Sequence, residues 1–350
     1  MKQRKSNLEL LRIVSMAFIV LAHMAGVGKA DQHTDGINLL FSYFFVCGGK
    51  LWSSVFVLLS ASFSCVKPFR SRSLFHTVFC AAVVTLGCTV LKPELHATTS
   101  DYLKACLSSL FPLSNNTYWF VTTYVFLMLL SPWLNFIVHS ASKRDYTVLL
   151  ILLVLICTIP FTFKLESYSN ANSNLLWFIC LYLIAGYLVR FPPAFSKRCG
   201  RMFACGLTFY VIIFLHSLYK RTLLLGETGS LLMLLGSVCF FCAFRALDIS
   251  PSKWINAIAS GSFAVYLIHM APMLQHFWWF KVFRYDQLYD SSLFIPNAFV
   301  VLVVFFAIGF VTNAVCRQAE KLLFRIPFVS KCFDWLDSLM HTDAIPKSAT

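Results

Sequence analysis

The sequence predicts an all-α, polytopic integral membrane protein with about ten transmembrane helices and both termini in the cytoplasm. Hydrophobic residues make up 58% of the 350 residues and charged residues only 13%, whereas soluble domains are roughly 45–50% apolar and about 25% charged. Ten apolar stretches approach the length of a membrane span. Lys and Arg recur in every second connection between these stretches, which is the pattern that marks cytoplasmic loops.

Each predicted span follows from the length of its apolar run. Crossing about 30 Å of hydrocarbon takes about 20 mostly apolar helical residues, because lipid requires a closed backbone hydrogen-bond ladder. The sixth and eighth stretches are short for a span, and the polar segment between Lys92 and Thr117 has room for a short surface element. The ten stretches are Leu8–Val27, Leu39–Cys65, Leu74–Leu91, Tyr118–Val138, Tyr146–Phe163, Leu175–Val189, Met202–Leu218, Leu231–Ala246, Ile255–Phe277 and Leu293–Cys316.

Membrane topology explains the excess of basic residues better than a nucleic-acid partner does. The chain carries 29 Lys and Arg against 15 Asp and Glu, a formal net charge of +14. With the N-terminus inside, basic residues cluster on the cytoplasmic side at positions 2–12, 67–72, 143–144, 190–201 and 245–253. Because cytoplasmic loops collect such residues, none of them is a ligand on the ground of charge alone, and no nucleic acid is expected.

The cysteines and the C-terminal tail add no further domain to the membrane domain, residues 1–316. The 13 cysteines are scattered through apolar runs, where a free thiol packs as a small hydrophobe, so no disulfide bond is predicted. Residues 317–350 form a short cytoplasmic tail. Its first part, Arg317–Arg325, predicts an amphipathic segment on the inner leaflet, and its end predicts disorder.

The first predicted helix carries the residues that point to chemistry. Arg12 and His23 are separated by ten residues, and eleven steps of about 100° place them on one face with about 16 Å of axial rise between them. Glu9 precedes Arg12 by three positions, a spacing at which the two side chains can pair. Ionisable residues in a span usually face a bundle interior or a wet cavity and mark a functional pathway. On this topology Arg12 lies near the cytoplasmic boundary and His23 in the outer half.

Three segments of this chain resemble the membrane acyltransferase-3 family, which acylates envelope glycans. The segments occur in order and cover the chain from Asn7 to the tenth helix. Where many members have Ser-Gly-Tyr late in the second helix, this chain has Ser60-Ala-Ser62-Phe63. The three segments are Asn7-Leu-Glu-Leu-Leu-Arg12 followed by His23, Tyr118-Trp119-Phe120 followed by Tyr124, Pro132 and Asn135, and Ser262-Phe-Ala-Val-Tyr266-Leu-Ile-His269.

The resemblance implies an O-acyltransferase of the bacterial inner membrane. The expected reaction moves an acyl group, acetyl in the leading hypothesis, from cytoplasmic acyl-coenzyme A to a hydroxyl of a surface polysaccharide, glycolipid or lipid-linked sugar. His23 is the candidate general base or an acyl relay. Arg12 and Glu9 are further catalytic candidates beside His23, and Arg12, Lys67 and Arg70 are the candidates for holding the donor phosphates. Acyl-coenzyme A is expected as a co-substrate, and no bound cofactor is expected.

Four further residues are candidates on the acceptor side: Lys50, Tyr118, Trp119 and His269. His269, and with it His216, is predicted at the same side as His23, where three imidazoles can line one cavity; buried histidines at helix ends are the alternative. Lys50 alternatively snorkels to the interface, and the two aromatic residues alternatively belong to an interfacial belt. The histidines lack metal-ligand spacing, so no metal is predicted.

A transporter or flippase of a lipid-linked saccharide is the alternative function. Its pathway would also be marked by ionisable residues inside the membrane. Paired Gly- or Pro-broken helices in two halves, which point to such a transporter, are not visible in the sequence. The order of the three segments favours acyl transfer.

Overall fold

The computed structural model describes residues 5–92, 98–162 and 173–340, and every regular element in them is helical. Two shorter apolar helices, Asn174–Arg190 and Leu231–Ala246, correspond to the short sixth and eighth predicted stretches. The prediction of an all-α membrane protein is confirmed, whereas the count of ten spans and the orientation remain predictions. Six helical stretches are long and apolar enough to cross a membrane: Ser6–Val27, Gly36–Ser64, Ser71–Leu91, Trp119–Ser140, Cys199–Lys220 and Phe294–Leu323.

Fourteen helices are labelled here in chain order. The end of the bundle at which the first helix begins is called the proximal side, and the opposite end is called the distal side. The helices are α1 (Ser6–Val27), α2 (Gly36–Val46), α3 (Gly49–Ser64), α4 (Ser71–Leu91), α5 (Thr99–Ser109), α6 (Trp119–Ser140), α7 (Lys143–Thr162), α8 (Ser173–Arg190), α9 (Cys199–Lys220), α10 (Leu231–Ala246), α11 (Lys253–Ser260), α12 (Ser262–His269), α13 (Phe294–Leu323) and α14 (Pro327–Leu339).

Helices α1 and α3 lie at the centre of the bundle. α1 packs against α2, α3, α10, α11 and α12, and α3 also packs against α8 and α10. The sequence of α1 fits this position because it is apolar around its circumference, and Leu11, Val20 and Met24 are fully buried. A helix that is hydrophobic on all sides is a core helix. The candidate residues of α1 are therefore surrounded by protein on several sides.

One polar connection and one apolar stretch agree with the prediction. The surface element expected between Lys92 and Thr117 is α5, whose N-cap residue Thr98 accepts a hydrogen bond from the Asp101 backbone N–H. This cap satisfies one of the free N–H groups of the first turn. The fifth predicted stretch corresponds to α7, and its predicted last residue, Phe163, lies outside the described residues.

The second predicted span, Leu39–Cys65, is divided into α2 and α3 at Cys47 and Gly48. Tyr210 from α9 fills the break, and its hydroxyl donates a 2.6 Å hydrogen bond to the carbonyl of Phe44. A Cβ atom on Gly48 would lie 2.7 Å from Cζ of that tyrosine. Only glycine leaves room for the ring, because real Cβ contacts of this length do not occur.

The ninth predicted span, Ile255–Phe277, is not one continuous helix. The segment forms two eight-residue helices, α11 and α12, with Gly261 between them, and α12 ends at His269. A Cβ atom on Gly261 would lie 2.9 Å from the backbone nitrogen of Phe310 in α13. The backbone at Gly261 therefore lies close to that of α13. The hydrophobic periodicity of one segment does not reveal such a contact with another segment.

The C-terminal segment differs from the predicted tail. α13 continues beyond the predicted boundary at Cys316 to Leu323, so the first two turns of the tail extend a long helix instead of lying on the membrane surface. The amphipathic segment is α14, which begins with Pro327 at its first turn and packs against α4. Proline is favoured there because that position has no intrahelical N–H bond to lose. The end of the tail was predicted to be disordered, and residues 341–350 lie outside the described residues.

Candidate active site

A cavity of about 180 Å³ lies on the distal half of α1. Its wall is mainly apolar and aromatic, and five of its side chains carry ionisable or hydroxyl groups: His23, Lys50, Ser53, Glu227 and Tyr266. The lining comes from α1, α2, α3, α6, α12 and the connection between α9 and α10. A concave, mostly apolar site with a few converging polar groups is the usual form of a small-molecule site.

His23 and His269 form a hydrogen-bonded pair at this cavity. Nδ1 of His23 lies 2.9 Å from Nε2 of His269, and Nδ1 of His269 lies 2.7 Å from the carbonyl oxygen of Val265. A carbonyl only accepts, so Nδ1 of His269 carries the proton, and Nε2 of the neutral ring accepts from Nδ1–H of His23. The network thus assigns the tautomers and leaves Nε2 of His23 unprotonated, with no hydrogen bond to a described residue. A neutral histidine in this state is a proton acceptor.

His269 is buried, and hydrogen bonds from other segments hold the backbone beside it. The residue is fully buried at the C-terminal end of α12. Tyr118 donates a 3.1 Å hydrogen bond to the carbonyl of Leu267, and Nε1 of Trp278 donates a 3.2 Å hydrogen bond to the carbonyl of Ile268. The Tyr118 bond satisfies a carbonyl near the helix end, and the carbonyl of Ile268 accepts from the backbone N–H of Ala271 as well. Tyr118 is buried and is not among the residues that line the cavity, and its hydroxyl contacts α12.

Lys50 and Trp119 meet at the cavity wall. The ammonium of Lys50 lies 4.9 Å from the centroid of the Trp119 ring, which is cation–π distance. Both residues line the cavity together with His23. The structure therefore brings three of the predicted site residues to one place, although they come from α1, α3 and α6.

The sequence analysis missed Glu227. It lies in the connection between α9 and α10, beside Gly226, and lines the cavity with Lys50 and His23. The signal that it offered is an acidic side chain in a short distal connection, on the side where His23 was expected. Carboxylates in such connections are usually solvated surface residues, so the signal is weak without the fold.

Arg12 belongs to a second group of residues, called the proximal group, which lies at the proximal half of α1 and consists of Glu9, Arg12, Phe63 and Lys67. Its Nη1 lies 2.5 Å from Oε2 of Glu9, so the predicted pairing is present. The ring of Phe63 lies near two cations, 6.0 Å from Cζ of Arg12 and 5.6 Å from Nζ of Lys67. Arg12 does not line the cavity. Met16 and Ile19, which share its helix face, line the cavity between the level of Arg12 and the level of His23.

The comparison with protein families decides what kind of protein carries these two groups. A family model described as an acyltransferase domain, that of acyltransferase-3, matches residues 5–314. The chain belongs to the acyltransferase-3 family. The comparisons with curated proteins and with solved structures found no match. The protein is thus a membrane acyltransferase that transfers groups other than aminoacyl groups, and the family decides for the enzyme over the transporter that the sequence left open.

In this acyltransferase, two asparagines of the family-like segments have structural contacts. Nδ2 of Asn7 lies 3.0–3.2 Å from three carbonyl oxygens at the end of α10, those of Phe244, Arg245 and Leu247. Asn135 donates to the carbonyl of Ser64. Each asparagine joins two helices by satisfying carbonyls at a helix end.

Of the other basic residues near the start of α4, Lys67 belongs to the proximal group, whereas Arg70 and Arg72 do not contact it in the described structure. Lys67 contacts Phe63 of that group, and Arg70, exposed at the N-cap of α4, has no side-chain contact with the group among the described residues. Arg72 pairs with Asp334 of α14 at 2.8 Å. Its contact is therefore with the C-terminal helix.

Of the three imidazoles that were expected to line one cavity, His23 does so, whereas His269 is buried and hydrogen-bonded to His23 without itself lining the cavity. His216 of α9 does not line the cavity, and its Nδ1 is buried without a hydrogen-bond partner in the described part of the chain. α9 packs mainly against α10, which keeps this histidine away from α1. Within residues 5–92, 98–162 and 173–340, no three His, Cys, Asp or Glu side chains are grouped so as to hold a metal ion.

Proposed function

We propose that this acyltransferase moves an acetyl group from cytoplasmic acetyl-coenzyme A to a hydroxyl of a surface polysaccharide, glycolipid or lipid-linked sugar at the bacterial inner membrane. The observation that carries the proposal is the His23–His269 pair at the distal cavity. It supplies a proton acceptor where an acceptor hydroxyl can enter from the distal side. Arg12 lies about 16 Å away along the same helix face, on the opposite side.

His23 acts as the general base in the proposed reaction. The acceptor hydroxyl gives its proton to Nε2 of His23 while its oxygen bonds to the thioester carbonyl carbon. The tetrahedral intermediate collapses, the C–S bond breaks, and the coenzyme A thiolate leaves and takes up that proton. His269 holds the ring of His23 through the 2.9 Å hydrogen bond and stabilises the imidazolium that forms. General-base catalysis of this kind typically contributes about 10²–10⁴ to the rate.

The proximal group binds the donor in this proposal. Phosphate is recognised bidentately by the planar guanidinium fork, and the ion pair with Glu9 orients the fork of Arg12. Lys67, whose ammonium also lies near the ring of Phe63, adds a second positive charge, and exposed Arg70 adds a third. Met16 and Ile19 lie on the face between this group and His23, which is the direction that the thioester must take.

Lys50 and Trp119 serve the acceptor in the proposed site. Trp119 offers an aromatic face to a sugar ring, and Lys50 donates hydrogen bonds to its oxygens or to the developing oxyanion. Glu227 accepts from further hydroxyl groups at the same wall. The mixture of aromatic and charged side chains fits a carbohydrate better than a purely apolar acceptor.

Label transfer in nanodiscs tests the proposed function. Purified protein receives acetyl-coenzyme A labelled in the acetyl group and a glycan extract that contains lipid-linked sugars. We expect labelled O-acetyl esters that mild alkali releases. Movement of the glycan across the membrane without any acetyl ester would instead identify a flippase. If the label stays in acetyl-coenzyme A, this thioester is not the donor substrate.

A further inference from the structure

The C-terminal helix α14 has two opposite faces, and only one of them is covered by protein. On the covered face, Asp337 accepts a 2.6 Å hydrogen bond from the backbone N–H of Ser71, and Asp334 pairs with Arg72 at 2.8 Å. Both acidic residues of the helix therefore contact the start of α4. The ring of Phe333, also on this face, packs 5.1 Å from that of Phe75.

The other face of α14 is an apolar stripe. Phe328, Trp335 and Leu339 are 76%, 60% and 61% exposed. At about 100° per residue, these three and Leu336 fall within roughly 100° of the helix circumference. Cys332 lies in the same sector. An apolar stripe of this width on a water-facing helix is normally covered by a partner.

The surroundings of this stripe are basic. Lys321, Arg325 and Lys331 are exposed, and none of them forms an ion pair with a described residue. Because both acidic side chains of α14 contact the start of α4, the unpaired charges on and just before this helix are positive. The partner of the stripe is therefore apolar at the centre and negative around it.

The long helix α13 places this surface at the level of the membrane boundary. Its 30 residues span about 45 Å, whereas the hydrocarbon core is about 30 Å thick. Its last turns carry Arg317, Glu320 and Lys321, so they leave the hydrocarbon on the proximal side. The chain then reverses at residues 324–326, and α14 returns beside α4.

We propose that α14 lies in the membrane interface and binds anionic phospholipid headgroups on the proximal side of the bilayer. Phe328, Trp335 and Leu339 enter the boundary between headgroups and acyl chains, while Lys321, Arg325 and Lys331 contact the phosphates. Amphipathic helices bind in this way, and aromatic residues favour this depth. The bound helix also holds the start of α4, and with it the loop that carries Lys67 and Arg70.

Hydrogen exchange of the full-length protein in nanodiscs tests this proposal. One set of discs contains phosphatidylcholine alone and the other contains phosphatidylglycerol as well. Each basic residue near an anionic surface contributes about fivefold to binding, so we expect the backbone amides of 327–339 to exchange about tenfold or more slowly in the anionic discs. Replacing Lys321, Arg325 and Lys331 by Gln removes that difference, and Trp335→Ser speeds exchange in both lipids.

A matched control replaces three exposed basic residues elsewhere, Lys197, Arg198 and Arg201. This variant keeps the lipid-dependent difference at α14 if the proposal is right. Equal exchange rates of wild-type α14 in the two lipids would overturn it. So would protection that occurs only in discs with two copies of the chain, because the stripe would then be a protein interface.

Discussion

Nδ1 of His23 lies 2.9 Å from Nε2 of His269, although 246 positions of the chain separate the two residues. The contact exists because α12 ends beside the distal half of α1, in the wall of the cavity. His269 has its own acceptor in the carbonyl of Val265. The direction of both hydrogen bonds is thereby set, and His23 is left with its basic nitrogen unpaired.

The first prediction concerns His269 as a positioning residue. His269→Leu removes the acceptor for Nδ1–H of His23, and an unsatisfied buried donor costs about 1–3 kcal/mol, so kcat is expected to fall about tenfold to a hundredfold with KM for the donor unchanged. His269→Gln recovers part of the rate because its carbonyl oxygen accepts the same bond. Equal loss in both variants, accompanied by poor insertion, would indicate a packing role instead.

A second prediction tests the close approach that positions α12. Gly261→Ala places a Cβ atom about 3 Å from backbone atoms of Phe310, and such overpacking typically costs about 1–3 kcal/mol. Both Tm and acylation are expected to fall, because α12 carries His269. Gly87→Ala in α4 is the control, since a Cβ atom there has no neighbour within 4 Å in the described structure. A Gly261→Ala variant as stable and active as Gly87→Ala would contradict the account of the break.

The third prediction concerns the donor group. Arg12→Lys keeps the positive charge but loses the bidentate fork, so KM for acetyl-coenzyme A is expected to rise roughly tenfold or more. Arg190→Lys is the matched control, because Arg190 binds the carbonyls of Val138 and Ala141 and touches no candidate site residue. It should alter stability without changing KM. If Arg12→Lys behaves like this control, Arg12 has only a structural role beside Glu9.

Reporter fusions test the orientation in a fourth prediction. Basic residues mark the cytoplasmic side, and the contacts of Arg12, Arg72, Arg190 and Arg245 lie on the proximal side of the bundle. Fusions near Asn115 and Asp286 are expected to report the outer side. A cytoplasmic signal at Asn115 would reverse the proposed entry sides of donor and acceptor. Fusions after Arg72, Arg144, Arg201, Lys253 and Lys331 are expected to report the cytoplasm.

The features that the sequence predicted correctly depend on local spacing. The long helices follow from apolar runs, and the Glu9–Arg12 pair follows from a separation of three positions within one helix. Trp119 was identified from a segment that resembles the family, and Lys50 from its place at the outer entrance of the second predicted span. Their meeting at 4.9 Å depends on how α3 packs against α6.

What the sequence could not predict depends on packing between distant segments. The break at Gly261 results from the backbone of α13, and the His23–His269 bond from the resulting course of α12. Tyr118 was assigned to the acceptor side because an aromatic residue near a span end fits several roles. Its bond to the carbonyl of Leu267 is visible only when α6 and α12 are placed together.

The most direct test of the account is acetyl transfer by His23→Gln in nanodiscs, at the same protein abundance as the wild type. Glutamine can donate and accept hydrogen bonds but cannot take up a proton near neutral pH. We expect insertion and donor binding to be normal and transfer to fall at least about a hundredfold, with His23→Ala behaving alike. Near-wild-type transfer by His23→Gln would show that His23 is a structural hydrogen-bonding residue and would contradict its role as the base.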